Sequence, residues 1–392
     1  MAREYIDGAT AIARGAMDAG CTFFAGYPIT PATPILLHMV RELPKVGGIA
    51  LEAEDEIAAI SMCIGATFAG ARAMTATSGP GISLFSENIG LAIMAEVPLV
   101  IVDAQRLGPA TGGATTAAQG DIQFLRWGTS GGYPVIVLAP SSVAECYTLT
   151  LRAFDLAERF RTPVFLATDK DMVMNMTTVD TREFVRVPVR ERRLAPPPDA
   201  STRNPRWRPE ETFLPWDFHP VDWVPPMAHF GGPHLLRVTT STHDEHGFLT
   251  KDPEKVRRLN EHLWRKIMDH REETEFALYD PQEGADTLCI AYGTPARAMR
   301  EAVRQARERG LRVSALTLHT LWPVPEGILS LALRGVRRVL VGELNFGQYT
   351  REVERLAYRE AARHGTSLPD VIGIYRVDGL PLAPDAFLDA LT

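Results

Sequence analysis

The sequence is poor in the features that mark several large classes of protein. Its 392 residues contain only four cysteines, and no two of them form a CxxC pair. Scattered cysteines in apolar or mixed stretches are typical of reduced, buried thiols in a cytoplasmic protein rather than of a disulfide framework. The chain is therefore not expected to hold an iron–sulfur cluster or a structural zinc by itself.

Other absences narrow the possible functions further. No apolar run reaches membrane-spanning length, and the amphipathic first residues lack the apolar core of a signal peptide. A net charge of −7 argues against a nucleic-acid partner or an anionic membrane. The phosphate-binding pattern GxxxxGK[ST] and the nucleophile elbow GxSxG are also missing. What remains is an ordinary globular protein, predicted to be cytoplasmic.

Short apolar strands alternate with helices at both ends of the chain. Residues 1–180 contain a predicted helix over roughly 6–19 and apolar strands such as "PLVIVDAQ" and "PVFLATD". Such runs between helices indicate a parallel sheet covered on both faces. The same alternation over residues 285–392 predicts a second α/β domain, in which Thr294 caps a helix and Pro295 lies in its first turn.

Residues 181–284 are predicted to form an irregular connecting arm. Its central part is rich in proline and tryptophan and shows almost no periodicity. Several large apolar side chains argue against a solvated linker and for an arm that packs on the rest of the protein: Trp207, Trp216, Phe218 and Trp223. Two environments are equally compatible with its arginines, a partner subunit or plain solvent: Arg186, Arg190, Arg192, Arg193, Arg206 and Arg208.

Two further segments have alternative interpretations. The glycine-rich stretch 108–121 lacks the strand–GxGxxG–helix context of a dinucleotide site, and is either a mobile surface loop or a lid over a site. The "HDEH" of residues 243–246 contains metal-binding side chains. Adjacent positions do not share one face of a helix, so a turn is favoured over a metal site.

Three polar residues follow strands of the first predicted sheet. Thr30, in "YPITPATPI", is predicted to cap a helix with Pro31 in its first turn, which creates a place for a carboxylate or phosphate. Arg106 directly follows an apolar strand, where open α/β sheets bind ligands, and an arginine fork there suits a carboxylate. The alternative for Arg106 is an exposed loop position.

The third residue is Glu56, in an acidic group with Glu52, Glu54 and Asp55 at the start of a helix. Acidic residues in a first helical turn commonly just complement the helix dipole. The small residues that follow predict that this helix packs very closely against something. Glu56 is therefore a candidate buried acid.

Together these residues resemble the alpha subunit of 2-oxoacid:ferredoxin oxidoreductases, which are thiamine diphosphate enzymes. The resemblance lies in "GYPITPATPI", "TSGPGISLFSE", "VIVDAQRLGPATGG" and "VGELNFGQ". The segment "STHDEHGF" and the lack of a fused gamma-type domain are similar to the 2-oxoglutarate branch. Branched-chain or pyruvate-type enzymes, and a non-redox thiamine-dependent decarboxylase component, are the alternatives.

This resemblance implies a pyrimidine-binding domain at residues 1–180 and a transketolase C-terminal-like domain at residues 285–392. The aminopyrimidine of thiamine diphosphate would bind in this chain. A separate beta subunit would carry the diphosphate, magnesium and an iron–sulfur cluster, which agrees with the missing GDG…N motif. Coenzyme A would be the co-substrate and ferredoxin the electron acceptor, in an αβ or (αβ)2 assembly.

The resemblance also implies roles for individual residues. Glu56 would hydrogen-bond the pyrimidine ring nitrogen and favour the imino tautomer, whose nitrogen removes the thiazolium proton. Thr30 and Arg106 would bind the 1-carboxylate of the 2-oxoacid. The further cofactor-binding residues would be Tyr27, Pro28, Ile29, Gly79 and Phe85. Glu343 and Asn345 would either touch coenzyme A or a neighbouring subunit, or simply stabilise a loop, which is the favoured interpretation.

Overall fold

The computed structural model describes residues 3–197, 213–218 and 223–391. The strands are β1 Arg3–Ile6, β2 Phe23–Gly26, β3 Ile49–Glu52, β4 Ala73–Thr77, β5 Leu99–Gln105, β6 Ile136–Leu138, β7 Pro163–Asp169, β8 Thr177–Asp180, β9 Ala277–Asp280, β10 Thr287–Tyr292, β11 Val313–Leu318, β12 Thr320–Trp322, β13 Arg338–Glu343 and β14 Asp370–Tyr375. The helices are α1 Gly8–Asp18, α2 Thr33–Glu42, α3 Glu56–Phe68, α4 Gly79–Leu84, α5 Ser86–Met94, α6 Ile122–Trp127, α7 Val143–Phe160, α8 Lys170–Met174, α9 Pro253–Met268, α10 Pro295–Glu308, α11 Glu326–Ala332, α12 Thr350–His364 and α13 Pro384–Leu391.

The first sheet has the strand order β12-β6-β7-β5-β4-β2-β3. Its neighbouring strands run parallel except β12, which pairs antiparallel with β6. Every residue of β4, β5 and β7 is buried, as expected for strands covered on both faces. The predicted parallel sheet is therefore confirmed.

Helices α1, α2 and α7 cover one face of this sheet, and α3 and α5 cover the other. Helix α1 lies very close to α7, because a Cβ atom at Gly15 would be 2.8 Å from the carbonyl oxygen of Tyr147. The helix predicted over 6–19 begins later, at Gly8, and Asp7 caps it by accepting a hydrogen bond from the backbone nitrogen of Thr10. The residues before it form β1, which pairs antiparallel with β8 and was not predicted.

The second sheet has the strand order β14-β13-β10-β11-β9 and is parallel except for β9. Helices α10 and α13 cover one of its faces. Thr294 does precede α10 and Pro295 does open it, but the Thr294 hydroxyl donates to Asp169 Oδ2 instead of capping the helix. Strand β9 lies before the predicted boundary at residue 285, and β12 crosses over to the first sheet. The two sheets therefore do not divide the chain at that boundary.

The connecting arm is only partly irregular. It contains α9, a helix of 16 residues whose side chains Leu259, Leu263 and Ile267 are buried at a spacing of four. This spacing is the signal of an amphipathic helix, so the prediction of an irregular segment throughout 181–284 is wrong. Trp216 and Phe218 are fully buried, as predicted for an arm packed on the protein.

The described arginines of the arm contact carboxylates of the first domain. Arg190 pairs with Asp155, and Arg192 pairs with Glu158 over 2.8 Å. Arg192 is 9% exposed and is therefore not plainly solvated, whereas Arg190 remains 43% exposed beside its carboxylate. Contact of either side chain with a partner subunit stays a prediction. Of the other residues in this prediction, Trp207, Arg206 and Arg208 lie outside the described residues.

The four cysteines are free and buried. Burial raises the pKa of the Cys21 thiol to about 12, which keeps it protonated and inert. Among residues 3–197, 213–218 and 223–391, no helix combines the length and apolar content needed to cross a membrane.

Candidate active site

The carboxyl ends of β5, β4, β2 and β3 meet at one edge of the first sheet, because these strands are parallel neighbours. Ligands of open α/β sheets bind at such an edge. Thr30 follows β2, Glu56 opens α3 after β3, Gly79 opens α4 after β4, and Arg106 follows β5. The fold thus brings four of the predicted site residues to one edge from four separate segments.

Glu56 is the buried member of the acidic group, with 7% of its surface exposed, whereas Glu52, Glu54 and Asp55 are exposed. The Asp55 carboxylate accepts a hydrogen bond of 2.7 Å from the backbone nitrogen of Ala58 and so caps α3. Capping is therefore the role of Asp55 and not of Glu56. Within the described residues, no hydrogen bond engages the Glu56 carboxylate, which leaves it available to a ligand.

The small residues of α3 lie on two faces of the helix. Ala59 is buried, with 1% of its surface exposed. A Cβ atom at Gly65 would meet no heavy atom of the described residues within 4 Å, and Ile57 and Met62 on the same helix are 47% and 40% exposed. The helix is therefore packed within this chain at Ala59 but not at Gly65, and its second face is open and apolar.

A glycine turn lies directly against Glu56. A Cβ atom at Gly81 would be 1.9 Å from Thr77 Oγ1 and 2.8 Å from Glu56 Cγ, so only glycine fits at this position. The turn also reaches the other side of the site, where a Cβ atom at Gly79 would be 3.2 Å from Asp121 Oδ2. The backbone from Gly79 to Gly81 therefore forms a narrow shelf between two carboxyl groups.

Thr30 does not cap a helix. Helix α2 begins at Thr33, its N-cap is Ala32, and no side chain caps it. The predicted cap is wrong because Pro34, rather than Pro31, occupies the first helical turn, so the helix starts later than the Thr-Pro pattern suggests. Thr30 belongs instead to a turn between β2 and α2.

Arg106 is nearly buried and contacts Thr30 directly. Its Nη1 donates to the carbonyl oxygen of Thr30 over 2.5 Å, and its Nη2 donates to the carbonyl oxygen of Thr111 over 3.0 Å. Its Nε is buried and has no hydrogen-bond partner among the described residues. The alternative of an exposed loop arginine is therefore wrong, although the contact uses the Thr30 backbone rather than its hydroxyl.

The remaining predicted cofactor-binding residues differ in exposure. Tyr27 and Pro28 are exposed, and Ile29 packs partly against the core. Phe85 is fully buried in the hydrophobic core at the junction of α4 and α5. Contacts of these residues with a cofactor stay predictions.

Two buried carboxyl groups were missed by the sequence interpretation. Asp103, in β5, lies beside Thr77 of β4, and Asp121 directly precedes α6. Burial raises the pKa of Asp121 to about 6, opposed by the Arg106 charge. Burial and the neighbouring Asp121 carboxylate raise the pKa of Asp103 well above its usual range. The available signal was an aspartate inside the otherwise apolar strand "PLVIVDAQ".

The second half of the chain anchors the glycine-rich segment 108–121. The Asn345 amide donates to the carbonyl oxygen of Gln119 over 2.8 Å, and the Gln348 amide donates to that of Gly120 over 2.6 Å. The end of the segment is therefore held by the second half of the chain, and near its start the carbonyl oxygen of Thr111 accepts a hydrogen bond from Arg106. The two interpretations, a mobile surface loop and a lid over the site, both stay predictions.

Glu343 and Asn345 have structural partners within the chain. The fully buried Glu343 carboxylate accepts hydrogen bonds from the Tyr292 hydroxyl and from the backbone nitrogens of Tyr349 and Thr350. This network supports the interpretation that both residues stabilise a loop. The "HDEH" segment is likewise a turn, in which Asp244 accepts backbone hydrogen bonds, and no cluster of metal-binding side chains occurs within the described parts of the chain.

Two protein-family models match the chain. The model described as "Pyruvate flavodoxin/ferredoxin oxidoreductase, thiamine diP-bdg" matches residues 14–262. The model described as "Pyruvate:ferredoxin oxidoreductase core domain II" matches residues 285–384. Between them they cover every strand of the first sheet and every strand of the second sheet except β9.

Individual relatives agree with these models. The 2-oxoglutarate synthase subunit KorA of Methanothermobacter thermautotrophicus is 45% identical, over 91% of this chain and 92% of its own length. The ketoisovalerate oxidoreductase subunit VorB of the same organism is 36% identical, over 90% of this chain and 89% of its own. The identity is thus higher to the 2-oxoglutarate subunit.

Solved structures share the fold. The 2-oxoglutarate:ferredoxin oxidoreductase of Magnetococcus marinus, with 2-oxoglutarate, coenzyme A and succinyl-CoA bound, superimposes with a TM-score of 0.86 at 30% identity, covering 100% of this chain and 65% of the solved chain. A split-gene transketolase superimposes with a TM-score of 0.53 at 12% identity, covering 98% and 95% of the two chains, which shows a common fold alone. Because the first family model matches more than half of its length, the chain belongs to the pyruvate flavodoxin/ferredoxin oxidoreductase family.

Proposed function

We propose that the chain is the alpha subunit of a thiamine-diphosphate-dependent 2-oxoglutarate:ferredoxin oxidoreductase. The enzyme converts 2-oxoglutarate and coenzyme A to succinyl-CoA and CO2 and passes two electrons to ferredoxin. The observation that carries this proposal is the buried, unengaged Glu56 carboxylate against the Gly79–Gly81 turn, in a chain of this family. The higher identity to a 2-oxoglutarate synthase subunit, 45% against 36% to a ketoisovalerate subunit, supports the substrate.

The residues beside Glu56 fit the pyrimidine end of thiamine diphosphate. The Gly79–Gly81 backbone lies close to Glu56 and Thr77, and Thr77 Oγ1 and Ser78 Oγ are buried with no partner among the described residues. Unpartnered polar atoms at such a depth are a costly feature unless a ligand uses them. Bound thiamine supplies a carbon nucleophile for the keto carbon and a sink for the electrons that decarboxylation releases.

Glu56 holds a proton at the pyrimidine ring nitrogen. A carboxyl group in a poorly hydrated pocket makes a strong hydrogen bond there, because the low dielectric constant strengthens it. The rigid start of α3 fixes its direction, since Asp55 caps the helix and Gly81 closes the space behind Glu56 Cγ. General acid–base groups positioned in this way typically contribute about 10²–10⁴-fold to rate.

Arg106 and Thr30 bind the 1-carboxylate of the substrate. The Arg106 guanidinium donates to two backbone carbonyl oxygens, and its Nε has no partner among the described residues. A carboxylate bonds a guanidinium more strongly than a neutral carbonyl does, so exchanging one carbonyl for the substrate is favourable. The Thr30 hydroxyl lies on the same turn as the carbonyl that Arg106 contacts.

A beta subunit docks on the open face beside Glu56 and supplies the diphosphate site, magnesium and the iron–sulfur cluster. Strand β3 is an edge strand, and exposed apolar side chains lie on it, on α3 and on α4. They are Ile49, Leu51, Ile57, Met62 and Leu84. A patch of this kind next to a site is typical of a protein interface. The complex is αβ or (αβ)2.

Co-expression with the beta subunit tests the proposal. The purified complex should reduce a viologen dye when 2-oxoglutarate and coenzyme A are supplied, and the alpha chain alone should not. Met62→Glu should abolish co-purification of the two subunits, whereas Tyr358→Glu, at a site on α12 that is 68% exposed, should not. A complex with bound thiamine diphosphate and an intact cluster that turns over no 2-oxoacid would contradict the proposed function.

A further inference from the structure

Asp103 and Asp121 form an unusual pair of carboxyl groups beneath the site. Both oxygens of Asp103 and the Oδ2 of Asp121 are buried without a hydrogen-bond partner among the described residues. Asp103 points to the same side of the sheet as Thr77, its neighbour on β4, whose hydroxyl is also buried and unpartnered. The pair therefore lies in a polar pocket under the Gly79–Gly81 turn that contacts Glu56.

The charges that face this pair are few. The Arg106 charge lowers the pKa of Asp121, and the Asp121 charge raises the pKa of Asp103. The other groups around Asp121 are neutral. They are Gly79 of α4, Gln105 of β5 and Gln348, whose side chain bonds the backbone of Gly120 and Gln123 on either side of Asp121. Among the described residues, one cation therefore faces the two buried carboxyl groups, and the Glu56 carboxyl group lies against the same Gly79–Gly81 turn.

Two ionised carboxylates cannot both persist in this pocket. An isolated buried carboxylate without hydrogen bonds is very costly, and a second one nearby adds repulsion. No cation among the described residues pairs with Asp103, and burial together with the Asp121 charge raises its pKa well above the usual range. Both Asp103 oxygens are buried without a hydrogen-bond partner among the described residues, so Asp103 is the carboxyl group of the pair that holds a proton more readily, and Asp121 is the one that offsets the charge of Arg106.

We propose that binding of the 2-oxoacid 1-carboxylate at Arg106 makes Asp121 take up one proton from solvent. This inference rests on the proposed function, because it requires the substrate carboxylate beside Arg106. Asp121 and the substrate compete for the same positive charge, so the arriving anion leaves Asp121 uncompensated in a buried position. Protonation of Asp121 restores the charge balance, and no bond other than its O–H bond forms. Asp121 is thus a positioning residue that tunes Arg106.

The consequence is a proton-linked Michaelis constant. Above about pH 6, where Asp121 is ionised in the free enzyme, KM for 2-oxoglutarate should rise about tenfold for each pH unit, while kcat does not follow this slope. Asp121→Asn should remove the slope of KM. Asp103→Asn should keep it, because asparagine imitates the protonated Asp103 that is already present.

These two isosteric variants form a matched pair, tested in the alpha–beta complex with 2-oxoglutarate, coenzyme A and a viologen dye between about pH 6 and pH 8. A slope that survives Asp121→Asn, or that is lost in both variants, would overturn the inference. If Asp121→Asn does not fold, the dependence of the wild-type KM on pH still tests the inference, because a KM that stays constant across that pH range would overturn it as well. Turnover with a flat KM leaves the proposed function intact, whereas no turnover with any 2-oxoacid overturns both.

Discussion

The guanidinium of Arg106 donates a hydrogen bond of 2.5 Å to the carbonyl oxygen of Thr30, 76 positions earlier in the chain. This bond spans the end of β4 and joins the turns after β2 and β5. A second bond to the carbonyl oxygen of Thr111 ties the glycine-rich segment to the same side chain. Arg106 therefore organises the site as well as offering it a positive charge.

Replacing Arg106 by lysine keeps the charge but removes the fork. The ammonium group cannot bond Thr30, Thr111 and a carboxylate in the geometry of a guanidinium. KM for 2-oxoglutarate should rise about 10- to 100-fold, the equivalent of one charged hydrogen bond. Steady-state kinetics of the complex measure this, with Arg182→Lys, at a site 81% exposed, as the control. An unchanged KM would remove Arg106 from the substrate site.

Glu56→Gln keeps the shape of the side chain but cannot exchange a proton with a pyrimidine. Turnover should fall by about 10²–10⁴-fold, while thiamine diphosphate and the beta subunit remain bound. The exposed neighbour provides the comparison, and Glu54→Gln should leave turnover within about twofold of wild type. A large loss of turnover from Glu54→Gln together with a small loss from Glu56→Gln would show that Glu54, and not Glu56, is the catalytic acid.

Gly81→Ala should damage the site through packing alone. The new methyl group would lie 1.9 Å from Thr77 Oγ1 and 2.8 Å from Glu56 Cγ, so the turn or the glutamate must shift. Gly65→Ala is the matched control, because nothing lies within 4 Å of its Cβ position on α3. We expect thermal unfolding of the alpha chain to show destabilisation by about 1–3 kcal/mol for Gly81→Ala and none for Gly65→Ala. Equal unfolding temperatures for the two variants would contradict the close packing of Gly81 against Thr77 and Glu56.

Much of this site follows from the sequence, because local patterns report local structure. Parallel strands place their carboxyl ends together, so residues that follow them, such as Thr30, Glu56 and Arg106, were predictable as a group. The burial of Glu56 rather than Glu54 depends on which of them follows the capping Asp55. The direction of α3 determines which glutamate is buried, and the acidic sequence alone does not show this direction.

Other features depend on contacts between distant parts of the chain. Strand β12 has only three residues and joins the first sheet from the second half of the chain. The pairing of Asp103 with Asp121 likewise depends on a long loop returning to the sheet. The predicted Thr30 cap failed for a local reason, since two Thr-Pro steps compete in "YPITPATPI" and the later one opens the helix.

The buried Asp121 should also make stability depend on pH. Burial raises its pKa to about 6, against 3.8 for an ordinary aspartate, so the folded chain binds more protons than the unfolded chain between these values. Stability should therefore fall as pH rises through this window, and Asp121→Asn should make the fall smaller without abolishing it, because burial also raises the pKa of Asp103. The variant should gain on the order of 1–3 kcal/mol over wild type at about pH 8. Denaturant unfolding at about pH 5 and pH 8 measures the difference.

The exposed Asp385 of α13 is a suitable control for that experiment. Asp385→Asn should change stability by the same small amount at both pH values, because its carboxyl group is not buried. A wild-type stability that rises between about pH 4 and pH 6, with no change on Asp121→Asn, would contradict the buried position of Asp121.

The most direct test of the central claim compares 2-oxoacids as electron donors for the alpha–beta complex. With coenzyme A and a viologen dye, the complex should reduce the dye with 2-oxoglutarate at a kcat/KM at least about tenfold above those with pyruvate and 2-oxoisovalerate, the equivalent of about 1.4 kcal/mol of discrimination, and it should form succinyl-CoA. A preference for 2-oxoisovalerate or pyruvate would contradict the 2-oxoglutarate assignment. Dye reduction with none of the three, in a complex that contains thiamine diphosphate and its cluster, would contradict the enzyme itself.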